Sequence, residues 1–154
     1  MVLEDLYRDV IMDHFKRPRN QGELADADVV AEGANPLCGD ELTLWLKVEG
    51  GVVTEARSEG HGCSISQAST SIMTEAVKGK PLDEIEQLID RFRAMMLEGE
   101  EADASLGDGV ALEGVKKFPV RIKCAVLSWN TLRLGLAEHA QSGGAPVTSK
   151  HSET

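Results

Sequence analysis

Along the first turns of the chain, Leu3, Leu6, Tyr7, Val10, Ile11 and His14 recur three and four residues apart. That spacing sets them on one face of a helix, which Pro18 must end. A turn-rich stretch follows, and from Glu41 the period falls to two. Leu42, Leu44, Leu46 and Val48 alternate with Thr43, Trp45 and Lys47, and Gly50-Gly51 turns the chain into a second strand from Val52 to Ser58. Val29 to Glu32 reads as a third strand, because a two-stranded ribbon alone is marginal. After Cys63 the helical period returns, with Ile65, Ala68, Ile72 and Ala76 on one stripe, Ser66, Ser69, Thr70 and Thr74 mostly off it, and Gly79-Lys80-Pro81 as its end. Leu82, Ile85, Leu88, Ile89, Phe92 and Met95 or Met96 mark another helix, stopped near Gly99. The acidic run GEEADASLGDGVALEG (99–114) reads as an exposed loop or flap. Pro119 then opens a helix whose sequence VRIKCAVLSWNTLRLGLAEH (120–139) is apolar on more than one face, as a packed helix should be.

This order predicts an α+β fold: a three-stranded antiparallel sheet with helices packed on one face. It predicts one domain over 1–139 and a small, polar, disordered tail over 140–154, whose removal should change neither stability nor metal content.

Composition narrows the function. Sixteen Lys and Arg against 26 Asp and Glu give a net charge of −10, which repels nucleic-acid backbones and anionic lipid alike. Neither nucleic acid nor membrane is expected as a partner. The start MVLEDLYRDV lacks the basic opening of a secretion signal, and no apolar run approaches the ~18 residues of a membrane span, so the expected location is cytoplasmic. Three cysteines, Cys38, Cys63 and Cys124, are an odd number for a disulfide framework and leave free thiols or a metal site.

Cys38 lies on the loop entering the hairpin, Cys63 where a strand hands over to a helix, and Cys124 early in the last helix. Two of the three therefore stand at element junctions, where binding groups are usually presented. At a helix N-terminus, unpaired N–H groups and a partial positive charge favour a thiolate, the form that binds metal or attacks sulfur. Asp40, two residues from Cys38 on an extended segment, can return its carboxylate to the same side. Three sulfurs and one oxygen suit tetrahedral Zn²⁺ or the edge of an iron–sulfur cluster. Spacing alone leaves a metal site and three unrelated cysteines equally open, since none of the gaps resembles a C-x-x-C knuckle.

The motifs around the cysteines are more specific. LYRDVIMDHFKRPRNQG (6–22), NPLCGDELTL (35–44), GHGCSISQASTSIM (60–73) and FPVRIKCAVLSW (118–129) together resemble the U-type iron–sulfur cluster assembly proteins, the IscU/SufU family with a NifU N-terminal-like domain. The resemblance implies a metal pocket formed by Cys38, Asp40, Cys63 and Cys124, and a partnership with a cysteine desulfurase that hands over sulfur as a persulfide. Downstream assembly or acceptor proteins would take it on. The scaffold branch carries His before the third cysteine, where this chain has Lys123, and it carries a proline-rich chaperone motif where this chain has FPVRIK. The acidic segment Glu98 to Gly114 looks like the insertion of the SufU branch. The resemblance thus implies a zinc-dependent sulfurtransferase, and with it Cys38 is the expected sulfur acceptor, because a Gly-adjacent loop swings outward at lower cost than Cys63 at a helix start or Cys124 within a helix. The alternatives are a scaffold that builds a [2Fe-2S] cluster, holding iron transiently, and a structural zinc module that only docks partners.

Other residues have plainer readings. His61 is expected to be exposed or to support a ligand rather than pair with Cys63 as a nucleophile, because strand neighbours point to opposite faces. His14 is expected to be packed and hydrogen-bonded, Trp45 and Trp129 to fill core or edge, and Arg121 and Lys123 to flank the pocket.

Overall fold

The computed structural model describes residues 3–152. Helix α1 (Leu3–Lys16) leads to three antiparallel strands, β1 (Val29–Asn35), β2 (Asp40–Glu49) and β3 (Val52–His61). Gly50 and Gly51 both have positive φ, 58° and 75°, as a two-residue hairpin turn matched to strand twist requires. On β2 the inward positions Asp40, Leu42, Leu44 and Leu46 are buried in strict alternation. The alternation fails on β3. Val48 pairs with Val53 but Lys47 with Glu55, so Thr54 is an extra, bulged residue, and Val53 and Ala56 both face inward although three apart.

The chain continues through α2 (Ser64–Val77), β4 (Lys80–Pro81), α3 (Leu82–Leu97), a run of 3₁₀ turns over Ala104–Lys117, α4 (Pro119–Gln141) and β5 (Val147–Ser152). The sheet has five strands in the order β4-β3-β2-β1-β5 and is mixed, because β5 runs parallel to β1. This corrects the expected three-stranded antiparallel sheet. Both added strands are edge strands, one of two residues and one whose only apolar side chain on the core is Val147, so the hydrophobic pattern carries almost no trace of them. The tail expected to be disordered therefore supplies β5, of which only Ser149 is buried.

Helices α2 and α4 cover the inner face of the sheet, and α1, α3 and the 3₁₀ run pack outside them. Helices thus cover one face, as expected. Two other expectations are corrected. The Ser/Thr side of α2 is buried: Ser66, Ser69, Thr70, Ser71 and Thr74 are all sealed from solvent. Several of these hydroxyls find partners at once, with Thr70 donating to Ser66 O (2.8 Å), Thr74 to Ser71 O (2.7 Å) and Ser69 to Ala125 O on α4 (2.6 Å). Small hydroxyl side chains that bond locally let two helices approach closely, which a reading based on polarity misses. The acidic run 99–114 is not a free flap either. Leu106, Ala111 and Leu112 enter the core, and Asp108 accepts a bond from buried His14 (2.8 Å), whose other ring nitrogen meets Ser71 Oγ (2.8 Å). Trp129 is a core residue, stacked on Phe92 at a centroid distance of 4.3 Å and donating its indole N–H to Ser69 Oγ at 3.1 Å. Among the described residues no helix is long and apolar enough to cross a membrane.

Close docking of α4 on β1 fixes the height of Cys124 above the sheet. A Cβ at Gly33 would sit 2.1 Å from Thr131 Oγ1, so only glycine leaves the space that α4 occupies. Gly33→Ala is expected to destabilise by ~1–3 kcal/mol through overpacking, and Thr131→Ala in the same chain to recover part of that loss. Urea unfolding of the single and double variants tests this coupling, and strictly additive losses would refute it.

Candidate metal centre

Four elements meet at one end of the sheet. The turn joining β1 to β2 carries Cys38, held by the Cys38 N–H donating to Asn35 O at 3.2 Å. Gly39 follows with φ 70°, a conformation that swings the chain into β2 at Asp40. Cys63 is the N-cap of α2, with extended backbone (φ −70°, ψ 163°), and its sulfur accepts the Ser66 N–H at 3.4 Å. Cys124 lies in the second turn of α4 and is fully buried.

Asp40 organises these groups. Its carboxylate is 0% exposed, and its Oδ1 accepts the Cys63 N–H at 2.8 Å while Oδ2 lies 3.9 Å from Cys63 Sγ. Gly62 makes this approach possible, since a Cβ there would stand 2.3 Å from Asp40 Oδ1, and its φ of 149° disfavours any other residue. The Cys38 and Cys124 sulfurs and an Asp40 oxygen all lie within 4.8 Å of one another. Cys63 joins this group through Asp40. The structure thus brings together Cys38, Asp40, Cys63 and Cys124, whose chain positions span most of the domain.

The donor set fits a zinc ion. Metal–sulfur bonds of ~2.3 Å place tetrahedral ligand atoms about 3.8 Å apart, a separation these side chains reach by small rotations. Three thiolates and a carboxylate would carry four negative charges, and a dication neutralises only half. Arg121 lies against the sulfurs of Cys63 and Cys124, which strengthen its hold on its proton, Cys63 most. Burial, then hydrogen bonding to Asp40 and the other two cysteines, pushes the Cys124 thiol well above its ordinary 9.0. Such a thiol gives up its proton to a metal rather than to water.

His61 falls outside the group: it is exposed and pairs with Glu41 at 3.2 Å, as the strand geometry predicts. Two features of the site escaped the sequence reading. Leu37, Phe118 and Val120 are exposed by 78%, 60% and 70%, and with Cys38, Lys117 and Arg121 they line an open cleft of about 610 Å³. Only their unexpected exposure marks them, and a sequence does not state exposure. The other is Asn35, which reads as an ordinary turn residue.

Residues 6–138 match the family described as NifU-like N terminal domain. The chain is 51% identical to the zinc-dependent sulfurtransferase SufU of Bacillus subtilis, over 92% of this chain and 95% of that protein. It is 43% identical to the iron–sulfur cluster assembly scaffold protein IscU of Thermotoga maritima, over 88% of this chain and 96% of that one. The crystal structure of the N-terminal part of a nitrogen-fixing NifU-like protein from Brucella abortus superposes with a TM-score of 0.82 at 28% identity, covering 90% of this chain and 97% of that one.

Two outcomes follow from the geometry. Gly62→Ala should weaken zinc binding roughly tenfold or more by displacing the Asp40 carboxylate, with the circular dichroism spectrum unchanged. Chelator competition measures it, and a wild-type affinity would refute the packing argument. In the metal-free chain the folded-state thiol of Cys124 titrates higher than the unfolded one, so its contribution to stability is full below pH 9.0 and lost as pH rises beyond it. Melting curves of chelator-treated protein on either side of that pH test the sign.

Proposed function

This chain belongs to the NifU-like N terminal domain family, and on that premise we propose that it is an iron–sulfur cluster assembly protein working as a zinc-dependent sulfurtransferase. Cys38, Asp40, Cys63 and Cys124 hold the zinc, and Cys38 accepts persulfide sulfur from a cysteine desulfurase. The observation that carries this reading is the convergence of three cysteine sulfurs on one buried carboxylate at the mouth of an open cleft. Zinc supplies a redox-inert charge that keeps the thiolates deprotonated at neutral pH.

The residues around it divide the work. Asp40 and Cys124 are sealed in the interior and Cys63 is tied into the first turn of α2, whereas Cys38 rides on a turn and is half-buried. Cys38 is therefore the ligand that leaves its place at least cost. In the transfer its thiolate attacks the outer sulfur of the donor's persulfide, a new sulfur–sulfur bond forms on Cys38, and the donor's own sulfur departs as a thiolate. Electrons and charge balance with no external oxidant or reductant. Arg121, beside the sulfurs, offsets the negative charge that arrives. Leu37, Phe118 and Val120 give the desulfurase an apolar rim to dock on, which would exclude water from the transfer. Downstream acceptors would then take the sulfur toward cluster assembly. A reducing compartment, the cytoplasm, suits three free thiols.

The scaffold reading draws on the likeness to IscU. Against it, Lys123 rather than an imidazole precedes Cys124. Elemental analysis separates the two, since the proposal requires about one zinc per chain and an iron–sulfur absorption band would overturn it. For Cys38, each cysteine is changed to serine and persulfide is mapped by mass spectrometry after reaction with desulfurase and cysteine. Cys38→Ser should abolish acceptance. If it accepts at the wild-type rate while folded, metal-loaded Cys63→Ser or Cys124→Ser does not, the assignment is wrong.

A further inference from the structure

Asn35 is a buried polar side chain that the transfer reaction leaves without a task. It ends β1, is 0% exposed, and neither its Oδ1 nor its Nδ2 has a hydrogen-bond partner among the described residues. A carboxamide sealed away from water and left unbonded is destabilising, and native structures rarely keep one without a use. Its position shows where a use lies. Asn35 pairs directly with Asp40 across the β1–β2 ladder, and both occupy inward positions of their strands. Directly opposed side chains on one face of an antiparallel pair stand ~5 Å apart at Cβ, so Asn35 and Asp40 are neighbours on the inner face with no hydrogen bond between their side chains. The Asn35 carbonyl also closes the turn that carries Cys38, at 3.2 Å from the Cys38 N–H. Its side chain and its main chain therefore flank the Asp40 and Cys38 arms of the centre.

Some donors are already in place, among them the Cys63 N–H on Asp40 Oδ1 at 2.8 Å, while Asp40 Oδ2 lies 3.9 Å from the Cys63 sulfur. The Ser66 N–H serves Cys63, and the Arg121 guanidinium lies against Cys63 and Cys124. Once loaded with a dication the four ligands still carry a net negative charge in a largely buried place, and such a charge needs hydrogen-bond donors on every side. Ser128, one turn beyond Cys124, carries a buried hydroxyl that also lacks a partner among the described residues.

Resting on the zinc reading above, we propose that Asn35 is a positioning residue of the loaded centre: its amide N–H donates to the anionic ligand atoms on the Asp40–Cys38 side. It holds Cys38 on the metal until a sulfur donor docks. The residue does not touch the transferred sulfur. It sets how readily its neighbour is released.

The test separates this role from packing by comparing metal-free and zinc-loaded protein. Asn35→Leu keeps approximate shape and removes every polar atom. Without metal it should melt at or above the wild-type temperature, because a buried unbonded group has gone. Its zinc dissociation constant, measured by competition with a chromophoric chelator, should rise roughly tenfold or more, and zinc-loaded Cys38 should be alkylated faster by iodoacetamide. Asn35→Asp, which replaces the N–H donor by another negative charge, should bind zinc more weakly still. Wild-type zinc affinity in Asn35→Leu overturns the proposal, as does an equal fall in melting temperature with and without metal. Should Asn35→Leu fail to fold, Asn35→Ser and Asn35→Ala take its place: the hydroxyl donor is expected to retain the higher affinity, and equal affinities overturn the proposal. Wild-type protein that binds no zinc would instead refute the centre itself.

Discussion

A carboxylate with no exposure to solvent is costly unless its charge is met by donors, and Asp40 is placed where only a correct fold can meet it. Its donor, the Cys63 N–H at 2.8 Å, belongs to the junction between β3 and α2 and lies 23 residues further along the chain. That single bond holds the first residue of the hairpin against the start of the helix that covers it. Three glycines serve the same junction: Gly39 turns the chain into Asp40, Gly60 lets β3 lie where a Cβ would stand 2.2 Å from Glu41 O, and Gly62 makes room for the carboxylate. The ligand cluster is therefore a consequence of how sheet and helix are joined.

Second to that junction is the polar seam between the helices. Arg19 N–H and the His14 ring both bond Ser71 Oγ, and the other ring nitrogen bonds Asp108, so one hydroxyl in the middle of α2 ties in α1 and the acidic 3₁₀ run. One pattern of protons satisfies the chain: Arg19 N–H donates to Ser71, Ser71 O–H to Nδ1, and Nε2–H to Asp108. On the other flank of α2 the Ser69 hydroxyl donates to Ala125 O and accepts the Trp129 indole N–H, both on α4. Layering of this kind sets α4, and Cys124 with it, at a defined height over β1, where Gly33 and Gly135 admit the helix.

What could be read from the sequence follows from which forces leave a periodic trace. Apolar burial does: α1, α3, α4 and the β1–β3 meander stand where Leu, Val and Ile spacing puts them, and the hairpin turn is written in Gly50-Gly51. Backbone pairing at a sheet edge does not, which is why β4 and β5 were invisible in a KP dipeptide and a polar tail. Polarity misleads where side chains bond locally, as on the buried Ser/Thr face of α2, and where apolar residues are spaced among glycines and acids, as in Leu106, Ala111 and Leu112. At the site, cysteines at junctions were a weak signal. The motifs around them pointed to Cys38, Asp40, Cys63 and Cys124 as one pocket, and the structure draws those residues together. Asn35 and the exposed apolar rim had no comparable mark, since burial of an amide and exposure of Leu37 are properties of the fold alone.

The four grouped side chains are unequally anchored, and under the proposed function that inequality would let one pocket be both a closed metal site and a working one. A site whose ligands are all held equally fast is inert, and one whose ligands are all loose does not retain its metal. Here the interior supplies the fixed part, with Asp40 and Cys124 fully buried and Cys63 capped into a helix, while the surface supplies the movable part on a short turn beside an apolar cleft. Loops open at lower free energy than packed helices, so under the proposed function Cys38 is the ligand that a partner would displace first. Of the four residues, Cys38 is also the one that lines the apolar cleft where a partner would dock, so docking and release would be coupled through that turn.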